Sequence, residues 1–353
     1  MMAWYRQLLR HEVGRRIRGI RYLMASRTKC GGQREEPMNL RETHVARCLK
    51  PGTALVVSIL LLALITGSAM AASPVGEPMP FKTPEAATEA LLAAFRDNDQ
   101  GALTALFGTE YADRLLSKDK VAARESRERV YQAAQKALIL RKDAEDRVVL
   151  VIGPDAWPFP IPLVRSGTDW RFNTAEGIEE IVNRRIGANE LRAIAVCRDY
   201  LAAQRQYAGK IRDKSGVRKF AQRIISTPGK QDGLYWDPTA AGGEESPFGP
   251  RMAEYLAGGR QPRDPYQGYY FRILTRQGNQ VPGGRYNYVI NGNMIAGFAL
   301  VAFPAEYGNS GIMTFLVSHH GKVVQKDLGS QTRKSAAQMR EYHPDATWTE
   351  VRE

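Results

Sequence analysis

Cysteine is scarce in this chain, with only Cys30, Cys48 and Cys197 among 353 residues. Two of them fall in a basic leader, so the remainder holds one thiol and cannot form an internal disulfide; its folded part must rest on a hydrophobic core. Signature motifs of chemistry are equally scarce. The sequence contains no Walker loop, no HExxH zinc motif and no dinucleotide-binding fingerprint. Ser226, Ser246 and Ser310 lack the G-x-S-x-G context of a nucleophile elbow. His319 and His320 are neighbours before Gly321, and alternation along a strand would send them to opposite faces, where they could not share a metal. No cofactor, no metal site and no catalytic residue is therefore expected. Long apolar runs are missing too. The longest uncharged one, residues 53–65 (TALVVSILLLALI), is short for a membrane span.

That run has a basic stretch before it and the small residues Ala69 and Ala71 after it, which is the pattern of a cleavable secretory signal. Cleavage after Ala71 is expected, and Met38 would give a leader of ordinary length, so it is a candidate true start. Cys48 precedes the apolar run, which does not fit a lipoprotein anchor. The chain has 50 basic and 37 acidic residues; 12 and 4 of these lie in residues 1–71, leaving 38 and 33 beyond. Most of the excess positive charge thus belongs to the leader, and the case for a nucleic-acid partner falls with it. The expectation is a periplasmic or secreted protein with no stable membrane anchor once the signal is removed.

After a linker at residues 72–80, two units are expected: an N-terminal α+β domain at 81–186 and a C-terminal helix-plus-meander domain at 187–353. Thr83-Pro84-Glu85 opens a helix whose Ala87, Leu91, Ala94 and Phe95 share one face. Leu103, Leu106 and Phe107 mark a second short helix, and the mixed charge of residues 117–129 suits a solvated one. Strands follow at 147–152 and 168–172. Between them WPFPIPL places Pro158, Pro160 and Pro162 with their missing N–H groups on one side of an extended chain, the pattern of an edge strand. Helices followed by a small curled sheet are similar to cystatin-like or NTF2-like folds.

Asn173 and Glu176 have capping-box spacing ahead of an apolar stripe of Ile178, Ile181, Val182, Ile186, Leu191, Ile194, Cys197 and Leu201, with a break or bend expected at Gly187. Cys197 on that stripe reads as a buried structural thiol. Residues 218–225 suggest a short helix, followed by a long irregular region. Residues 268–277, 286–304 and 311–329 then read as an antiparallel meander, with reversals at Gly283-Gly284, Asn291-Gly292, Gly308 and His320-Gly321.

The series IISTPGKQDGLYW, SPFGP, PYQGYYFRILTRQG and MIAGFALVAFPAEYGNSGIMTFLVSHHGKVVQKDLG, with PFPIPLV and GTDWRFNT upstream, resembles a bacterial family known as domain of unknown function 2950. That family has no assigned activity, so the resemblance implies no reaction. A looser likeness to the globular heads of type IV pilins and pseudopilins rests on a long helix lying against an antiparallel meander; the apolar N-terminal half of a pilin helix is missing.

An aromatic and amide-rich rim remains. Residues 230–236 (KQDGLYW) and 305–311 (AEYGNSG) each combine acid, aromatic and Gly. Asp232, Tyr235, Trp236, Tyr270, Glu306 and Tyr307 are the candidate binding residues, expected at one mouth of the C-terminal unit, beside an even alternative in which Leu234, Tyr235 and Trp236 plug the sheet edge and Asp232 caps a turn. The expected function is a non-catalytic binding or scaffold protein of the cell envelope, with a peptide or glycan ligand and an envelope protein or glycan as partner. The competing reading is a cell-wall or glycan hydrolase whose acids come from Asp232, Glu244, Glu245, Glu306 and Asp327.

Overall fold

Helix starts form where capping residues stand. The computed structural model describes residues 76–115, 120–249 and 264–352, which fall in one compact unit, Ala69–Glu353. The leader, its apolar run, Met38 and the Ala71 cleavage position lie outside the described residues. Helix α1 (Pro84–Arg96) begins with the Thr83 hydroxyl accepting from Ala86 N at 3.2 Å and Pro84 in its first turn. Its expected face, Ala87, Leu91, Ala94 and Phe95, is buried. Helix α2 (Gln100–Phe107) is capped by Asp99 in the same way and buries Leu103, Leu106 and Phe107. A 3₁₀ turn (Thr109–Tyr111) and α3 (Ala112–Leu115) lead to α4 (Lys120–Lys136). On α4, Glu125 and Arg129 pair at 3.9 Å in the solvent.

Strands β1 (Leu138–Ala144), β2 (Arg147–Ile152), β3 (Trp157–Pro158), β4 (Leu163–Ser166) and β5 (Asp169–Phe172) form an antiparallel sheet in the order β1-β2-β4-β5, with β3 also on β2. The proline segment is not one edge strand: it is strand only at Trp157–Pro158, bends at Pro160 and Ile161, and passes into β4, which lies inside the sheet between β2 and β5. Phe159 N donates to Leu150 O at 2.7 Å, while Pro158 and Pro162 turn their carbonyls the other way. That other side is not open. Arg184 donates to Pro158 O at 2.8 Å and Asn173 N to Pro162 O at 2.8 Å, so the following helix covers it.

That helix, α5 (Thr174–Ala208), is 35 residues long and unbroken at Gly187. The expected break is absent because packing on both sides outweighs the roughly 1 kcal/mol cost of one helical glycine. The division placed between residues 186 and 187 therefore falls inside one helix. The Asn173 side chain accepts from Glu176 N at 3.3 Å. Arg147 of β2 grips the Glu176 carboxylate bidentately at 2.6 and 2.8 Å, tying the helix start to the first sheet. Ile178, Ile186, Ile194, Cys197 and Leu201 are buried as expected, but Leu191 is 62% exposed.

Residues 218–225 are irregular, not helical: they bend at Gln222 and Ile224, Phe220 bridges Met294 and Ile225 bridges Tyr235. The bridges give backbone groups partners far along the chain that a local helix would forgo. The second large sheet contains β6 (Tyr269–Leu274), β11 (Ala299–Pro304), β12 (Met313–Ser318), β13 (Val323–Asp327) and β14 (Thr349–Glu350), all antiparallel in the order β14-β13-β12-β11-β6. Residues 286–304 are not one strand. Between β6 and β11 the chain makes β7 (Arg276–Gln277), β8 (Tyr286–Asn287), β9 (Val289–Ile290) and β10 (Asn293–Met294), which pair in two small ladders apart from the main sheet. The β9–β10 hairpin closes on Asn291-Gly292, both at positive φ (49° and 77°), the geometry that dipeptide favours. Helix α5 packs on β12 and β11, and α6 (Thr332–Gln338) on β11. Tyr269 reaches Met313 O on the α5 side and Arg272, three residues on, reaches Ala336 O of α6, so the two helices cover opposite faces.

Candidate functional site

The segment at residues 230–236 is packed into the fold by cation and carbonyl contacts. Trp236 is 4% exposed, its Nε1 donates to Glu244 O at 2.9 Å, and the Arg212 guanidinium lies 4.7 Å over its ring and 5.0 Å over that of Tyr207. Arg212 also donates to the Glu244 carboxylate at 3.2 Å. Tyr235 is half-buried and its N–H donates to Ile224 O at 2.8 Å. Asp232 accepts from Thr227 N at 2.7 Å and Thr227 Oγ1 at 2.8 Å. Burial pushes its carboxyl up, but the hydrogen bonds from Thr227 outweigh that and hold it below the usual range. Asp232 thus closes a turn, and Trp236 belongs to the core instead of an exposed platform.

The turn at residues 305–311 is more open. Tyr307 is 38% exposed and its hydroxyl donates to Asp327 at 3.1 Å; Glu306 accepts from Asn309 at 2.6 Å. The turn is fastened to the middle of α5. Asn189 donates to Ser310 O at 2.9 Å, and the buried Glu190 carboxylate accepts from Ile312 N and Met313 N, both at 3.0 Å. The other segment is fastened to the far end of α5, where Tyr207 donates to Gln231 O at 2.8 Å. Eighteen residues of helix separate Asn189 from Tyr207, about 27 Å along the axis at 1.5 Å per residue. The two segments therefore do not meet at a shared mouth.

Tyr270 is the one of the six that lines a large concavity. This cavity, about 800 Å³, wraps the outer edge of β6. Residues 222–228 form one wall and residues 269–273 the other. Val196 and Tyr200 of α5, Leu300 and Phe303 of β11, and Phe248, Asp264 and Tyr266 complete the lining. The volume falls in the range of small-ligand clefts, and the lining is mostly aliphatic and aromatic with a few charged groups. Tyr270 packs near Phe303 (ring centroids 5.6 Å apart), and the Arg333 guanidinium lies 5.4 Å from the Tyr270 ring centroid. Nothing in the sequence marks residues 222–228 for this role, because their apolar spacing suits a helix as well as a cavity lining. A smaller hollow of about 320 Å³ lies between α4 and residues 152–157, beside the half-exposed Trp157.

Among the cavity's described lining residues Asp264 is the single carboxylate. Glu244 instead sits with Lys210 at 3.0 Å and Arg212, and Asp327 accepts from Gly329 N at 2.7 Å as well as from Tyr307. The two histidines depart from expectation. Strand β12 ends at Ser318, so alternation no longer applies, and the His319 and His320 rings lie 4.2 Å apart. Burial, then the neighbouring His320, holds His319 below its ordinary pKa. No cluster of three or more metal-ligating side chains occurs among the described residues.

No curated protein and no solved structure matches the chain, so the likenesses to pilin heads and to cystatin-like or NTF2-like folds carry no argument about its function. A family model does match, and it runs over residues 79–351, taking in both sheets, α5 and both walls of the cavity. The chain belongs to the family described as Protein of unknown function (DUF2950).

Proposed function

We propose that this chain is an exported binding or scaffold protein of the cell envelope, periplasmic or secreted, that holds a peptide or glycan ligand in the cavity beside β6. The observation that carries the reading is the cavity itself: about 800 Å³, mostly apolar, with the aromatic faces of Tyr266, Tyr270 and Phe303 among its walls. Such faces stack on sugars and peptide side chains alike, while Arg223, Arg272 and Asp264 can fix polar groups. Of the six residues that the sequence nominated, Tyr270 stays in the site. Asp232, Tyr235, Trp236, Glu306 and Tyr307 serve the architecture around it. Export rests on the sequence pattern of residues 53–71.

The competing hydrolase reading needs two carboxylates facing one cleft at catalytic separation. The single carboxylate among the described lining residues favours binding over that chemistry.

The test is capture of an apolar fluorescent dye, an anilinonaphthalene sulfonate, by the purified protein and by Phe303→Arg. Phe303 is nearly buried at the cavity wall, so a charged side chain there should occlude the space. Saturable dye uptake that the substitution abolishes is the expected result, provided Phe303→Arg keeps its melting transition. Uptake that is absent, or indifferent to Phe303→Arg in a folded variant, would remove the cavity from the argument.

A further inference from the structure

The cavity is bounded by strand edges as well as by side chains. Strand β6 pairs with β11 and with no other strand among the described residues. Its polarity follows from the turn that starts it. Gln267 and Gly268, at φ of 50° and 77°, form a two-residue reversal in which Tyr266 and Tyr269 exchange both backbone hydrogen bonds, at 2.8 and 3.0 Å. Gly268 O accepts from Ala305 N at 2.9 Å on the β11 side. Tyr269 therefore turns its backbone groups away from β11, and by the two-residue period Phe271 and Ile273 do the same. These outward N–H and C=O groups have no partner among the described residues. The opposite wall has a similar gap. Tyr235 bonds to Ile224 O and Ser226 N, which leaves the backbone groups of Ile225 facing away from it, again with no partner among the described residues.

We propose, resting on the binding reading above, that the occupant is an extended peptide that adds as a strand to β6 and carries an acidic side chain to Arg272. A strand fits the outward groups of Phe271 and Ile273, whose backbone hydrogen bonds would supply affinity while the flanking side chains select sequence. A glycan lacks the alternating donors and acceptors that such an edge matches. Arg272 supplies the charge complement. Its Nη2 donates to Ala336 O at 2.6 Å, but its buried Nε has no partner among the described residues. Burial and the nearby Arg340 both disfavour its charge, so an incoming carboxylate would relieve that cost.

The experiment pans a random ten-residue peptide library displayed on phage against the chain from residue 72 onward. Enriched peptides should alternate β-branched or aromatic residues with others and contain Asp or Glu. A synthetic copy of the best peptide should lose tenfold or more in affinity when alternate amides are N-methylated on the β6-facing side. Replacing its acid by the amide should cost several-fold on the wild type and little on Arg272→Gln. Ile273→Pro removes one outward N–H while leaving the β11 side paired, as edge prolines do, and should abolish capture with the melting transition kept. Should that variant fail to fold, the N-methylated peptide on the wild type gives the same answer. Dye uptake without peptide enrichment would overturn strand addition and leave the cavity reading standing; failure of both would end both. A micromolar dimer that Ile273→Pro dissolves would assign the edge to a second copy and overturn peptide capture.

Discussion

Cys197 lies on α5 between Ile194 and Leu201 with no exposed surface, and burial pushes its thiol up to about 12. The stripe spacing was enough to place it, because a residue three or four positions from buried neighbours shares their face. Cys197→Ser should cost roughly 1–3 kcal/mol in urea unfolding by burying a poorly satisfied hydroxyl. Rapid labelling of the native thiol would contradict its burial. His319 was less legible, since the end of β12 removes the alternation on which the opposite-face expectation rested. Its depressed pKa, caused by burial and then by His320, means that the folded state binds that proton less tightly than the unfolded chain does. The contribution is fully present above the ordinary value of 6.5 and is lost as pH falls through the folded value. Urea midpoints measured from pH 8 to pH 5 should decline for the wild type and decline less for His319→Gln. Parallel curves would show that the histidine is irrelevant to stability. Losses from the carboxylates come lower. Asp213, held down to about 2 chiefly by Lys219, keeps its stabilising charge until well below pH 4.

At the scale of elements, local chemistry was readable and competition between partners was not. The Thr83 cap, the capping residues Asn173 and Glu176 and the Asn291-Gly292 reversal each act within a few residues, and each forms where the sequence places it. Residues 218–225 have helical apolar spacing but form no helix, because residues 235 and 294, far along the chain, offer backbone partners. The helix start also depends on a distant residue. A Cβ at Gly177 would stand 2.4 Å from Ile161 Cγ1, so the proline-rich strand and α5 approach too closely for any larger residue. In an ordinary helix Gly→Ala stabilises; here Gly177→Ala should destabilise by about 1–3 kcal/mol through overpacking. A gain in urea midpoint would show that α5 can shift away from residues 157–162. Glu190 is the matching anchor farther along α5. Glu190→Ala leaves the amides of Ile312 and Met313 without their acceptor and should cost about 3 kcal/mol. Faster hydrogen exchange at those two amides, ahead of the rest of β12, is the observation that checks it.

For the whole molecule, the placement of the nominated loops depends on the length of α5, which no local pattern sets, since Gly187 suits a break, a bend or a continuous helix. One continuous helix sends residues 230–236 and 305–311 to stations about 27 Å apart, and the cavity forms where neither of them lies. The leader is the remaining whole-molecule question, and it is legible from sequence alone: 12 basic against 4 acidic residues, a 13-residue apolar run, then Ala69 and Ala71. A run that short, followed by small residues, has the pattern of a cleavable signal, and we propose that it acts as one. Removal of the leader would also lower the net charge from +13 to +5, since 38 basic and 33 acidic residues remain. Expression in a bacterial host with fractionation should yield a periplasmic species whose intact mass begins at Ala72. Replacing Ala69 and Ala71 by Arg should block processing and leave the uncut precursor in the membrane fraction. A wild-type species that keeps residues 53–65 and sediments with membranes would mean an anchor, and the proposed peptide-binding edge would then lie at the membrane surface.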